Sequence, residues 1–141
     1  EEMFKIIDER FGGMEEGAYS AYLAGKCALL DGRNTHAIEL FESYLTRAGK
    51  YPFFHDAALD GVATALENER EYARASDVYL QLAGEMKTNS FSEMSYLRKA
   101  ADALKMAERS EEAIEVLEKL HGMSDAIDKR DIEIEIEILR G

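Results

Sequence analysis

Small and large apolar positions recur along the chain at a fixed interval. Three segments align without gaps: Tyr22-Leu-Ala-Gly-Lys-Cys-Ala-Leu-Leu, then Ala37-Ile-Glu-Leu-Phe41; Asp60-Gly-Val-Ala-Thr-Ala-Leu, then Ala75-Ser-Asp-Val-Tyr79; Arg98-Lys-Ala-Ala-Asp-Ala-Leu, then Ala113-Ile-Glu-Val-Leu117. The small anchors Ala37, Ala75 and Ala113 are 38 residues apart. A large apolar residue follows each by four, and Gly25, Ala63 or Ala101 precedes each by twelve. A small residue in each of two neighbouring helices lets their backbones approach, and a large one a turn later fills the space beside the contact. Each segment therefore predicts a helix, a short turn and a second helix. Neither helix covers its apolar stripe alone, so the pairs must stack.

The punctuation agrees with this reading. Asp31-Gly32-Arg33-Asn34, Glu69-Arg70-Glu71 and Glu108-Arg109-Ser110 break the three pairs at matching places. Ser110, with Ala113 three later, is a weak N-cap signal, because a capping box needs Glu or Gln there. Gly49-Lys50-Tyr51-Pro52 and Lys87-Thr88-Asn89-Ser90 separate the pairs. Pro52 suits a first helical turn, and Asn89 or Ser90 suits an N-cap. The predicted helices are 1–11, 16–31, 34–48, 53–68, 71–87, 91–107, 110–121 and 125–140, with Gly12-Gly13 and Gly122 ending the first and seventh. The last segment reads two ways. Ile132, Ile134, Ile136 and Ile138 alternate with Glu133, Glu135 and Glu137, as in a strand. A lone strand after a helical stack has no partner, and Ile127, Ile134 and Ile138 also fit a helix opened by Asp131. Helix is the expectation.

The small-residue pattern of Gly25 with Ala37, of Ala63 with Tyr72 and Ala75, and of Ala101 with Ala113 resembles that of tetratricopeptide repeats. From about Phe4 to Gly141 the chain resembles a bacterial subgroup, similar to the soluble domain of the ancillary subunit of the Sec translocon. There a half repeat, here Phe4-Lys-Ile-Ile-Asp-Glu-Arg-Phe11, precedes the full repeats, and a helix, here Asp131 to Arg140, closes the stack. The resemblance implies an all-α, right-handed superhelical solenoid in a single domain. Its parts would be a half unit at 1–13, repeats at about 16–49, 53–88 and 91–122, and a capping helix at 125–140. The chain departs from the family in three ways. It repeats every 38 residues rather than about 34. Ala21, Leu59 and Leu97 stand where the family has a large aromatic, and Gly49, Lys87 and Asp125 where it has proline.

Composition narrows the function. Seventeen Lys and Arg against 29 Asp and Glu give a net charge of −12, which argues against nucleic acid and anionic membranes as partners. One cysteine excludes an internal disulfide framework and a multi-thiolate metal site. A hydrophobic share of 46% and one proline exclude a disordered tail. No apolar run approaches the roughly 18 residues of a membrane span, and no signal peptide is visible. The first residue is Glu1 rather than Met, which points to an excised fragment or a mature product. The subgroup implies a membrane anchor elsewhere in the intact protein. Cytoplasmic and periplasmic locations both stay open.

No chemistry-bearing constellation stands out. Cys27, beside Gly25 and Ala28 and without a histidine at helical spacing, reads as a small core residue rather than a nucleophile. His36, His55 and His121 do not pair at metal-ligand spacing and suit surface or capping places. Acid pairs such as Glu111-Glu112 fit solvated faces and helix N-termini. The glycines are not followed by the Lys-Ser/Thr of a phosphate loop. No catalysis, cofactor or metal is expected.

Binding remains. Positions that line the family's concave groove fall on Tyr19, Tyr22 and Lys26 in the first repeat, on Ala57, Asp60 and Thr64 in the second, and on Ser95, Arg98 and Asp102 in the third. Tyrosine and arginine are common interface anchors. The expected site is Tyr19, Tyr22, Lys26, Asp60, Thr64, Arg98 and Asp102, holding an extended peptide or helix of a partner protein. The competing expectation is that Tyr19 or Tyr22 packs on the preceding helix through Phe4, Ile7 or Phe11. The family's chaperone-binding members grip a C-terminal carboxylate, but the matching places are Tyr22, Lys26, Gly61, Ser95 and Lys99, of which only Lys99 carries the expected kind of charge. Residues 107–141 hold 11 acids and 5 bases, either a docking face for a basic partner or the solvated surface of a terminal unit. The alternative function is self-association into a homo-oligomer, such as a homodimer, through Met3, Phe4, Ile7 and Phe11 or through Ile132, Ile136 and Leu139.

Overall fold

A computed structural model describes Glu2, residues 14–47 and residues 54–141. The half unit at 1–13, with Met3, Phe4, Ile7, Phe11 and Gly12-Gly13, and the turn at 49–52 with Pro52, lie outside the described residues, apart from Glu2. The described residues form an all-α structure of seven helices: α1 (Met14–Leu30), α2 (Asn34–Arg47), α3 (His55–Asn68), α4 (Tyr72–Glu85), α5 (Ser90–Met106), α6 (Ser110–Met123) and α7 (Ala126–Arg140). The chain divides into two compact units, Glu1–Arg70 and Glu71–Gly141.

In the first unit α1 packs on α2, α2 on α3, and α1 also approaches α3. Phe41 of α2 holds this arrangement together. Its side chain is buried between Gly25 and Gly61. A Cβ on Gly25 would lie 2.9 Å from the ring, and one on Gly61 only 2.6 Å. Ala37, one turn before Phe41, is fully buried, as the repeat spacing predicts.

In the second unit α4 packs on α5, α5 on α6 and α6 on α7. Ala75, Ala101 and Ala113 are fully buried, and Tyr79, Leu97, Leu104 and Leu117 fill the space between them. Asn89 caps α5, its side chain accepting from the Ser92 N–H at 3.2 Å. Asp125 caps α7, accepting from the N–H groups of Ile127 and Asp128 at 3.1 and 3.0 Å. For α6 the cap position is Arg109, not Ser110.

The Ile/Glu alternation of residues 132–138 forms a helix. Ile132 and Ile136, four apart, are buried, while Ile127, Ile134 and Ile138 are exposed. The burial of Ile132 and Ile136 corrects their expected role as an exposed self-association face, because the second unit's own core uses them.

The helix-ending turns repeat in phase. Gly32, Arg70 and Glu108, 38 residues apart, all have positive φ: 76°, 60° and 60°. After α1, Gly32 N–H donates to Leu29 O and Arg33 N–H to Ala28 O, the paired bonds of a Schellman ending. The same pattern recurs after α5, with Glu108 N–H to Lys105 O and Arg109 N–H to Leu104 O. A left-handed backbone favours glycine for want of a Cβ. Only the first turn has one.

Candidate partner-binding surface

Five of the seven candidate residues belong to the first unit. Tyr22, on α1, is 6% exposed and lies in an aromatic cluster. Its ring stacks on Phe54 at 4.6 Å between centroids and lies 5.5 Å from Tyr44 and 6.0 Å from Phe41. Phe54 N–H donates to the Tyr44 hydroxyl at 3.2 Å. Such ring pairs contribute about 0.5–1.5 kcal/mol each beyond burial of area. Tyr22 is thus a core side chain, and its partners come from α2 and from Phe54 at the head of α3. Tyr19, three residues earlier and half-buried, has its ring 5.4 Å from that of Phe54 between centroids. The expected partners Phe4, Ile7 and Phe11 lie outside the described residues.

Lys26 is exposed one turn after Tyr22, with its ammonium 5.9 Å from the Tyr22 ring centre. Asp60 and Thr64, both half-buried, share a face of α3, and the Thr64 hydroxyl donates to the Asp60 carbonyl oxygen at 2.8 Å. That bond occupies the hydroxyl with its own helix.

The other two residues belong to the second unit, on α5. Arg98 faces α7, and its Nη1 donates to both carboxylate oxygens of Glu135 at 2.9 Å. Lys105 Nζ meets the same carboxylate at 3.0 Å and Asp102 at 3.1 Å, and Arg98 lies 3.7 Å from Asp102. Burial opposes the charge of all three titrating partners, Arg98, Lys105 and Glu135, but their mutual bonds and charges prevail. Arg98 and Lys105 are held above their ordinary values, and Glu135 below the usual carboxylate range. The cations of this face are therefore already engaged within the unit.

A cleft opens between α5 and α7 beside this network. Met94, Leu120 and Ile132 contribute its apolar side, Phe91 stands at its rim, and Asp128 and Asp131 line it from α7. Sequence reasoning did not single out Phe91 or Asp128, and it read Asp131 only as the opening of the last helix, whose cap is Asp125. The available signals were a large aromatic residue between Ser90 and Ser92, and two aspartates one turn apart on the last helix.

Two further placements bear on chemistry. Cys27 is exposed, which corrects its expected place in the core. Gly25 and Ala28 turn inward, and Cys27 between them points outward. His121 Nε2 lies 2.8 Å from a Glu133 oxygen, linking α6 to α7, and His36 lies 3.7 Å from Glu39. Both are surface pairs. Among the described residues no helix is long and apolar enough to cross a membrane. The chain matches no family model and no curated protein.

Proposed function

We propose that this protein is a non-catalytic interaction module: a right-handed superhelical solenoid of tetratricopeptide-like helix pairs whose groove holds an extended peptide or helix of a partner protein. The observation that carries this reading is the in-phase repetition. Ala37, Ala75 and Ala113 are fully buried at one interval, and positive-φ turns recur at the same interval. Chains built from such units present long solvated faces and characteristically act by binding. The resemblance to the Sec-associated subgroup extends the proposal to bacterial envelope protein export or assembly, by analogy alone. The test is affinity capture by the wild type and by a Lys26→Glu/Asp60→Ala variant, which changes the exposed Lys26 and the half-buried Asp60 and spares the Tyr22 cluster and the Arg98–Glu135 bond. A partner held by the wild type and lost by the variant is the expected result. Equal capture by both sinks the groove assignment.

One observation favours self-association as a second reading. Ile127, Ile134 and Ile138 are 77%, 51% and 72% exposed on the side of α7 turned away from the core. Light scattering across a concentration series separates the readings. A mass of one chain throughout removes the second.

A further inference from the structure

The cleft between α5 and α7 encloses about 450 Å³. That is within the roughly 300–1,000 Å³ of ligand-binding clefts and holds a few side chains, not a folded domain. Its walls have two characters. Leu120 and Ile132, 4% and 2% exposed, and the half-buried Met94 form an apolar side. Phe91, 83% exposed at the rim, keeps a whole aromatic face in water.

The charges are unequal. Arg98 is the cation among the lining residues, and Glu135 neutralises it through a two-oxygen contact at 2.9 Å. Lys105, behind it, is shared between Glu135 and Asp102. Asp128 and Asp131 are exposed, and neither forms an ion pair among the described residues. The cleft therefore carries two uncompensated negative charges next to an apolar surface. An acidic segment would meet repulsion there, and a purely polar one would leave the Phe91 face in water.

We propose that this cleft docks an extended segment of a partner protein in which a large apolar side chain stands beside lysine or arginine. The apolar side chain covers Met94 and Phe91. The cation bridges Asp128 and Asp131, which one helical turn places within reach of a single guanidinium or ammonium. The alkyl stem of that cation lies along the Phe91 ring. This assignment rests on the binding-module reading and names the chemistry of the segment that it holds.

The test uses the full chain, labelled with ¹⁵N, and three twelve-residue peptides that repeat Lys-Leu-Ser, Lys-Ser-Ser or Glu-Leu-Ser. Affinity is read by fluorescence anisotropy and location by amide shifts. The Lys-Leu-Ser peptide is expected to shift amides in the first halves of α5 and α7. Lys-Ser-Ser is expected to bind about tenfold more weakly, and Glu-Leu-Ser not to bind. Asp128→Asn/Asp131→Asn should weaken Lys-Leu-Ser about tenfold, close to 1.4 kcal/mol. The same charge change at Glu111→Gln/Glu115→Gln, on the exposed side of α6, should weaken it less than about twofold, as diffuse attraction alone would. Equal losses in both variants, or shifts centred elsewhere, overturn the assignment. So does displacement of the peptide by spermidine alone, which would mark a polyamine site. If Glu-Leu-Ser occupies the same amides instead, the cationic class falls and the binding module stands. If none of the three peptides moves any amide, the docking assignment falls, and the binding-module reading is decided by the capture experiment alone.

Discussion

Phe41 shows how much one side chain constrains its neighbours. Its ring fills the space over Gly25 and Gly61, so either glycine can change only if the ring moves. Gly61→Ala is expected to destabilise the protein by about 1–3 kcal/mol, the usual cost of overpacking, measured by urea denaturation. Gly84, within α4, meets nothing within 4 Å of a built Cβ. Gly84→Ala should instead stabilise by up to about 1 kcal/mol through helix propensity. Equal effects at both positions would refute the ring-between-glycines account. Arg70 and Glu108 make the opposite case. Both adopt the left-handed backbone that glycine adopts at position 32. Arg70→Gly and Glu108→Gly are each expected to raise the melting temperature, by an amount equivalent to about 0.5–1 kcal/mol. The repeat spacing made these turns legible as breaks. It could not reveal their handedness, because neither residue advertises a positive φ.

At the scale of the element, α7 carries most of what the sequence left undecided. Its alternating Ile and Glu residues fit two periods at once. The Asp125 cap that opens the helix is a local signal, but which isoleucines face α6 is a tertiary fact. Ile136→Ala should cost about 2–5 kcal/mol and Ile138→Ala almost nothing, read by denaturation. Glu135 ties α7 to α5, and its linkage to pH has a definite sign. Its folded-state value lies below the unfolded one, so the contact's stabilisation is present above the ordinary Glu value, about 4.3. That stabilisation is lost as pH falls through the folded value. Arg98 and Lys105 are raised, so their contributions hold below their unfolded values and fade only in strong alkali. The penalty of Glu135→Gln should be about 1 kcal/mol, small because solvent screens the pair, and should shrink as pH falls through the folded value. Amide exchange in α7 at pH 7 and pH 3 checks this. The helix ranges were legible because Gly, Asn and Asp punctuate them. The rotation of each helix was less so. Tyr22 and Cys27 are five residues apart on α1, and periodicity alone did not say which turns inward.

For the molecule as a whole, the division after Arg70 makes a direct prediction. Residues 71–141, expressed alone, should give a helical circular-dichroism spectrum and a cooperative thermal transition, since α4 to α7 bury Leu97, Leu117 and Ile132 among themselves. A featureless melt would show that this unit needs the other. The helix order was legible from 38-residue spacing. The charge accounting of the α5–α7 face was not, because Arg98 and Glu135 are 37 residues apart and meet only once the chain is folded. The single thiol, Cys27, has a practical consequence. Standing outward on α1 with no second sulfhydryl in the chain, it offers a unique chemical address. A maleimide dye or nitroxide should attach to the folded protein in one-to-one stoichiometry, giving a spectroscopic ruler whose origin lies in the first unit and whose reach extends to whatever the second unit holds.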